Sequence, residues 1–440
     1  MMKKKRIQAA VIVFVVLLLA LPGLALEPTG ELNASVGVQW DSDAQKLVHR
    51  STRSGFRLVL EDDLDFGGKL HFSTKGYWDW KLKEGNLVLD QLRVSGYQGD
   101  FDYQLGRQLI NWGTADGFNP TNYFARMRLD SLTTGNMSGD PLWAGQATYY
   151  GSNWSVTGVV VPFFTPQTID DQMKQMMLDE NPQAAMILKA MEDTKTPRGL
   201  GKNSEIALRA ETQLGGFDLQ ASFFSGFEPL PGLEMVLTMD PGMGANGAGA
   251  LDMPLIVPSV QGTYRRQSFI GLAATGTVGP VGIWGEVSYG GPAKFAEPEN
   301  PLEIERIPLS VNEKYLQAVV GGDYTFALGK GLLAQAQYIY RGQGSLLEPY
   351  VMPNMETLQP GEIKGASYLY GRFGYDFDAS NSAELLILHG FQEKMGILRP
   401  AYTYHFPNSV QLQLSLVQLY GEKKISHGGT QGTLSVTYQF

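Results

Sequence analysis

The chain ends Gly432-Thr-Leu-Ser-Val-Thr-Tyr-Gln-Phe440, and this stretch decides how the rest is read. In an extended chain successive side chains point to opposite sides. Leu434, Val436, Tyr438 and Phe440 therefore share one face, and Thr433, Ser435, Thr437 and Gln439 share the other. One face is apolar and closes on an aromatic ring; the other is polar throughout. A strand of this kind separates an apolar medium from water.

Working back from the C-terminus, the same grammar recurs along the chain. Leu32, Ala34, Val36, Val38 and Trp40 alternate with Glu31, Asn33, Ser35 and Gln39. Phe56, Leu58 and Leu60 alternate with Arg57 and Glu61, and Leu70, Phe72, Thr74 and Trp78 with Lys69, His71 and Lys75. Each segment is a weak signal, but repeated segments of about ten residues are the pattern of a transmembrane barrel. No segment beyond the N-terminus reaches the roughly eighteen apolar residues of a membrane helix. Backbone groups in lipid must all be hydrogen-bonded internally, and a closed barrel is the other structure that achieves this.

Connection lengths give an independent argument. Gln98-Gly99, Gly151-Ser152, Gly215-Gly216 and Gly279-Pro280 are tight turns, whereas residues 110–140, 163–202, 228–259, 291–313 and 342–364 are long connections. Long and short alternate in phase, as in outer-membrane barrels with short periplasmic turns and long outer loops. A soluble two-sheet sandwich would also alternate, but it does not account for this loop asymmetry, an export signal and a terminal Phe together. The predicted fold is all-β: a single transmembrane antiparallel barrel over residues 26–440, of about eighteen strands with sixteen as the alternative count. Residues 260–278 are expected to form one long strand or a strand plus a loop.

The N-terminus reads as a signal peptide over residues 1–25. Lys3, Lys4, Lys5 and Arg6 precede an apolar run from Ala9 to Leu21, and Gly23-Leu24-Ala25 supplies small residues for cleavage. Removing those four cations takes the formal charge from −9 to −13. An acidic exported chain is a poor nucleic-acid partner, because phosphate binding needs clustered Lys and Arg. The chain contains no Cys, which excludes disulfides and thiolate-held metal centres. Its five His are scattered without metal-ligand spacing or a nucleophile beside them. No cofactor, metal or enzymatic activity is expected.

Alternation fails over Gly106–Asp140, GRQLINWGTADGFNPTNYFARMRLDSLTTGNMSGD. Long irregular segments inside compact folds are usually functional or disordered. Gly113 and Gly117 permit unusual dihedrals, Asn119-Pro120 favours a turn, and Trp112, Phe118, Tyr123 and Phe124 are candidate anchors. Residues 110–140 are the third long-side loop. The chain resembles Gram-negative porins in architecture, and that resemblance implies that loop 3 bends inward as a constriction facing basic wall residues. The order Gly106-Arg107-Gln108, Trp112-Gly113, Asn119-Pro120 also resembles an uncharacterised group of bacterial outer-membrane barrels. The terminal strand is similar to the signal by which the outer-membrane assembly machinery recognises its clients through a residue such as Phe440.

Inward parity, completed by the loop residues, gives the candidate pore-lining set: Arg57, Lys69, Lys75, Arg93, Asp116, Arg126, Arg128, Asp130, Arg209, Arg265, Arg341, Arg372 and Arg399. Acids at Glu61, Asp102, Glu205, Glu211, Asp218, Glu286, Asp323 and Asp376 share the inward faces. Charges facing lipid near the midplane cost about 2–4 kcal/mol each, so these positions are expected to line water. Arg107 does not fit: Phe101, Tyr103 and Leu105 point outward and simple parity sends Arg107 with them. A bulge near Gly106, or a place above the lipid, would reconcile it.

Loop 4, residues 163–202, is expected to carry short helices. Thr168 and Asn181-Pro182 suit helix starts, and Met173, Met176, Met177, Met186 and Met191 recur at partly helical spacing. Methionine-rich faces adapt to varied apolar partners, yet such a stripe also serves as the packed face of a lid. Loop 5 is similarly apolar, and the two loops are expected to cover each other or to offer a landing site. Their helical character is similar to that of long-chain fatty acid transporters, but those proteins carry a sizeable N-terminal plug for which this chain has no room before its first strand.

The expected function is passive diffusion of small polar or charged solutes through a loop-3 constriction in the outer membrane. The alternatives are uptake of hydrophobic molecules gated by loops 4 and 5, and a closed structural or surface-binding barrel. Expected partners are outer-membrane lipid and lipopolysaccharide, the assembly machinery and the solutes; a homo-oligomer is left open.

Overall fold

The structure, a computed structural model, describes residues 28–41, 44–65, 67–115, 117–125, 139–167, 169, 174, 177–178, 184–240, 255–297, 300–346, 350–351, 361–421 and 430–440. The signal-peptide reading lies outside these residues. So do Asp116, Arg126, Arg128, Asp130, Met173 and Met176, and the helix starts at Thr168 and Asn181-Pro182.

The strands are β1 (Thr29–Asp41), β2 (Lys46–Asp63), β3 (Lys69–Asp79), β4 (Glu84–Gln98), β5 (Phe101–Gln108), β6 (Leu142–Tyr150), β7 (Trp154–Val161), β8 (Glu205–Leu214), β9 (Phe217–Phe227), β10 (Gly232–Asp240), β11 (Leu255–Thr263), β12 (Arg266–Val278), β13 (Val281–Pro292), β14 (Glu303–Pro308), β15 (Tyr315–Phe326), β16 (Leu332–Arg341), β17 (Ala366–Asp376), β18 (Asn381–Gly390), β19 (Met395–His405), β20 (Val410–Gly421) and β21 (Gln431–Gln439). A helix, α1, spans Ala184–Asp193.

Eighteen of the strands form one antiparallel sheet in which each pairs with the next barrel strand. The sheet closes where β1 meets β21, from Glu31 opposite Gln439 to Gln39 opposite Gln431. The barrel therefore has no free edge, which is how a sheet spans lipid. The outward residues of β1 and β21 are half-exposed apolar side chains, among them Leu32, Val36, Leu434, Val436 and Tyr438. In lipid, that exposure is contact with acyl chains. One end of the barrel carries tight turns, such as Gly215-Gly216 with φ of 61° and 83°. Residues at φ > 0 match the twist of a two-residue hairpin, and glycine adopts them at no steric cost. The other end carries the long loops.

Two features differ from the sequence expectation. Residues 260–278 do not form one strand: the end of β11 and the whole of β12 are separated at Tyr264-Arg265. β11 leaves the barrel and pairs with β10, and β10 pairs with β14 in a second, three-stranded sheet. Leu233, Met235, Leu237 and Ile307 from this sheet, Leu309 just after β14, and Ile187 and Ala190 from α1 bury one another, with Met177, Met191 and Tyr350 against them. Loops 4 and 5 thus cover each other, joined by β14 from the connection between β13 and β15. Central β10 escaped notice because a fully buried strand reads as a continuous apolar run and shows no alternation; β11 and β14 flank it.

The second difference resolves Arg107. By register it pairs with Leu92 and Trp143 and shares the outward face of β5, while Gly106 lies inward opposite Arg93. The bulge sits on neighbouring β4, where the pairing with β3 shifts between Ser73 and Thr74. Arg107 Nε donates to the carbonyls of Leu89 (3.1 Å) and Asp90 (3.0 Å) at that bulge. An outward guanidinium is tolerable there because it is satisfied by backbone oxygens that the bulge releases.

Candidate functional site in the barrel lumen

Loop 3 does not rise from the rim. Its described part, residues 109–115 and 117–125, lies inside the barrel, with Ile110, Trp112 and Phe124 buried together with wall residues Val159, Ala207, Phe224 and Phe269. Its fold is local and follows from its sequence. Asn119 Nδ2 donates to Trp112 O (2.7 Å), and its Oδ1 accepts from the amides of Thr121 (3.1 Å) and Asn122 (3.0 Å). A Cβ on Gly113 would lie 2.2 Å from Asn119 Oδ1, so glycine is what lets this turn close. Tyr123 stacks on Phe224 (5.2 Å between centroids) and Phe269 (5.9 Å), and its hydroxyl lies 3.0 Å from Ser222 Oγ.

The strongest tie is electrostatic. Glu286, on the inward face of β13, is 3 % exposed. Its Oε1 accepts from Thr114 N (2.5 Å), Thr114 Oγ1 (3.2 Å) and Ala115 N (2.7 Å). Its Oε2 accepts from Thr121 N (3.2 Å) and Thr121 Oγ1 (2.7 Å). Two carboxylate oxygens offer about four lone-pair sites, so five donors saturate the group. Gln337 adds a second tie, accepting from Trp284 Nε1 (2.8 Å) and donating to Phe118 O (2.8 Å).

These contacts carry the loop across the bore. It leaves from β5, the fifth strand around the ring, and Ala115 and Phe118 pack against a wall patch that includes Tyr368 and Tyr370 of β17, the fourteenth of eighteen. Half the circumference separates the two. The bore is thereby divided.

The predicted wall residues fall into distinct groups. Arg57 (3.4 Å) and Lys75 (2.8 Å) both approach Asp90, while Arg53 bonds Asp79 (2.9 Å). Arg93 stands beside His71 on the same inward face, and Lys69 lies at the short-turn end, 3.7 Å from Asp63. This sector, β2 to β4, carries partly exposed cations over largely buried acids. Arg209 is held by Glu211 (3.0 Å) and lies over Trp112, 5.3 Å from the ring centroid. Arg372 and Arg399 share Glu384, at 2.7 and 3.2 Å. Arg341 lies over Phe118 of loop 3 at 5.4 Å.

Arg265 is at the loop end of the barrel and is buried. It forms a fork to Glu228 (2.7 and 2.8 Å) and donates to Val311 O (2.8 Å) and Asn312 Oδ1 (3.0 Å), tying loop 5 to the connection that follows β14. Burial pushes the Glu228 carboxyl up from its ordinary value, opposed by its bonds to Arg265. Of the lid methionines, Met177 and Met191 pack on the lid core and Met186 faces away, exposed. Beside loop 3, towards the short turns, a cavity of about 420 Å³ is lined by Thr114, Tyr150, Ser155, Glu211, Asp218 and Gln220 among others.

Sequence reasoning placed Glu286 only among the inward acids and did not single it out. Parity puts an acid in the lumen but does not reveal that the loop's amides converge on it.

A closed eighteen-stranded barrel with a loop folded into its lumen is the fold of outer-membrane porins. The chain is similar to the outer-membrane protein OpdK of Pseudomonas aeruginosa, with a TM-score of 0.51 and 9 % identity over 95 % of this chain and 100 % of that one. It is also similar to OccK8 (OprE) of the same organism, at 0.50 and 10 % identity over 94 % and 98 % of the two chains. No family model and no curated protein matches the sequence.

Proposed function

We propose that the protein is a non-enzymatic channel, integral to the outer membrane and exported with the signal peptide of residues 1–25, through which small polar or charged solutes diffuse passively. The observation that carries this reading is the Glu286-anchored crossing of loop 3 over a bore lined with paired charges. Barrels of this size enclose more space than side chains fill, so a fixed internal loop defines the narrowest path. Rings and ladders of charge then filter by sign. In this proposal the cations of the β2–β4 sector, Arg57, Lys75 and Arg93, face the path, and the lumenal acids across it compete for the same ions. The barrel exterior meets lipid and lipopolysaccharide, and the strand ending at Phe440 serves recognition by the assembly machinery.

Planar-bilayer recording tests the proposal. Open current is expected from folded protein; its absence overturns the channel and leaves a closed or surface-binding barrel. Neutralising Arg57 and Lys75 together should move the reversal potential towards cations, and an unmoved potential removes them from the ion path.

The second reading, uptake of hydrophobic solutes under loops 4 and 5, draws on the apolar character of the lid. Against it, Met177 and Met191 are spent on packing within the lid. Deleting residues 170–192 and following entry of apolar compounds separates the two: altered entry supports a transport role for the lid.

A further inference from the structure

Three of the eight buried side-chain atoms that lack a hydrogen-bond partner among the described residues belong to one small cluster at the loop end of the lumen: Arg341 Nε, Arg341 Nη1 and Glu393 Oε2. Buried polar atoms are normally satisfied, and leaving a charged one unpaired carries its full desolvation cost. Arg341 closes β16 with its side chain on the inward face, level with Gln317 and Ala366, and is 8 % exposed. Its guanidinium has the ring of Phe118 beside it and lies in the field of Tyr315, Tyr368 and Glu393.

The neighbours are already committed elsewhere. Tyr315 donates to Gln343 Oε1 at 2.7 Å. Tyr368 donates to Glu393 Oε1 and accepts from Leu346 N at 2.8 Å. Neither phenolic proton is left for another partner, while the second carboxylate oxygen of Glu393 has none among the described residues. Glycine at position 390 makes the room: a Cβ there would lie 2.4 Å from Glu393 Oε2 and 2.9 Å from Tyr368 Cε1. Because Gly390 pairs with inward-facing Tyr368, the Glu393 carboxylate is folded back into the lumen.

A cation with unused N–H groups, and in its field an acid with an unused oxygen held by Tyr368, are complementary to a solute bearing both charges. We infer that this cluster is a solute subsite for small amino-acid-like zwitterions. The solute carboxylate accepts a charge-assisted bond from the unpartnered N–H groups of Arg341, and the solute ammonium donates to Glu393 Oε2. The inference rests on the channel reading and names a substrate class for it.

The test uses full-length protein in planar bilayers, with glycine, β-alanine and 4-aminobutanoate as probes, each against the monocarboxylate of equal carbon number. Current block by at least one amino acid should be about tenfold tighter than by its matched monocarboxylate, one charged hydrogen bond being of that order. Arg341→Gln should abolish block by both classes. Glu393→Gln and Gly390→Ala should remove the amino-acid preference while leaving the carboxylate response. Where Arg341→Gln does not assemble, Arg341→Lys keeps the charge but not the planar guanidinium donors and should weaken both classes about tenfold. Open current with no block, or block unchanged by the Arg341 and Glu393 variants, overturns the subsite and leaves the channel standing. Absent current overturns the channel itself, and binding of the probes to detergent-folded protein, measured by calorimetry, then decides the subsite separately.

Discussion

Glu286 is the residue on which the internal loop depends most. Replacing it by Gln keeps one acceptor oxygen but sets an NH₂ group against N–H and O–H donors that now meet the other oxygen. Hydrogen bonds to a charged group are each worth about 1.5–3 kcal/mol, and a group that serves five donors is not additive. Amide exchange at residues 114–121 should therefore quicken by roughly ten- to a hundredfold in Glu286→Gln, with noisier single-channel current. Unchanged exchange would mean that the aromatic contacts of Tyr123 suffice to hold the loop. Gly106 gives a second test. Its φ of +128° and the 2.1 Å between a built Cβ and Leu92 O forbid a side chain. Gly106→Ala should lower stability in lipid by about 1–3 kcal/mol, read from denaturant midpoints. Gly106 stood out in the sequence as the point where parity faltered, but the cause lay one strand away, in the β4 bulge that Arg107 satisfies.

Two kinds of element behave differently. On β21, Val436 faces outward and Ser435 inward, level with Ala34 and Ser35 of β1. Val436→Arg should cost about 2–4 kcal/mol if it lies near the midplane, while Ser435→Arg should be tolerated and shift ion selectivity. Equal costs for the two would contradict the alternation on which the fold is read. The lid obeys other rules, because β10, β11 and β14 are held by apolar packing and by the Arg265–Glu228 fork rather than by lipid. Removing one partner of a buried pair costs about 3–5 kcal/mol. Glu228→Ala should therefore open β10 to amide exchange while leaving barrel strands such as β16 protected. Uniform loss across both would show that lid and barrel unfold as one unit. The barrel strands were legible in the sequence because lipid and water impose a two-residue period on them. The central lid strand β10 was not, since both its faces are buried and its apolar run carries no phase.

At the scale of the molecule, closure is the decisive property. β21 pairs with both β1 and β20, so deleting Gln431–Phe440 would expose two unpaired edges at once. No species resistant to unfolding in cold detergent should then appear on electrophoresis, whereas Phe440→Ala leaves every pair of β21 in place and tests assembly alone. The sequence by itself determined the architecture: a barrel's side-chain parity, the phase of short and long connections and the even strand count are local signals repeated around the ring. It also marked residues 106–140 as the segment exempt from that grammar. Only the tertiary structure decided what the exempt segment touches. Loop 3 reaches Glu286, Gln337 and Tyr370 across half the ring, and Arg341 meets Phe118 and the field of Glu393, through contacts between residues far apart in the chain. Period and composition carry no information about which distant amides will converge on one buried carboxylate, because that convergence is fixed by the closed ring and not by any stretch of it.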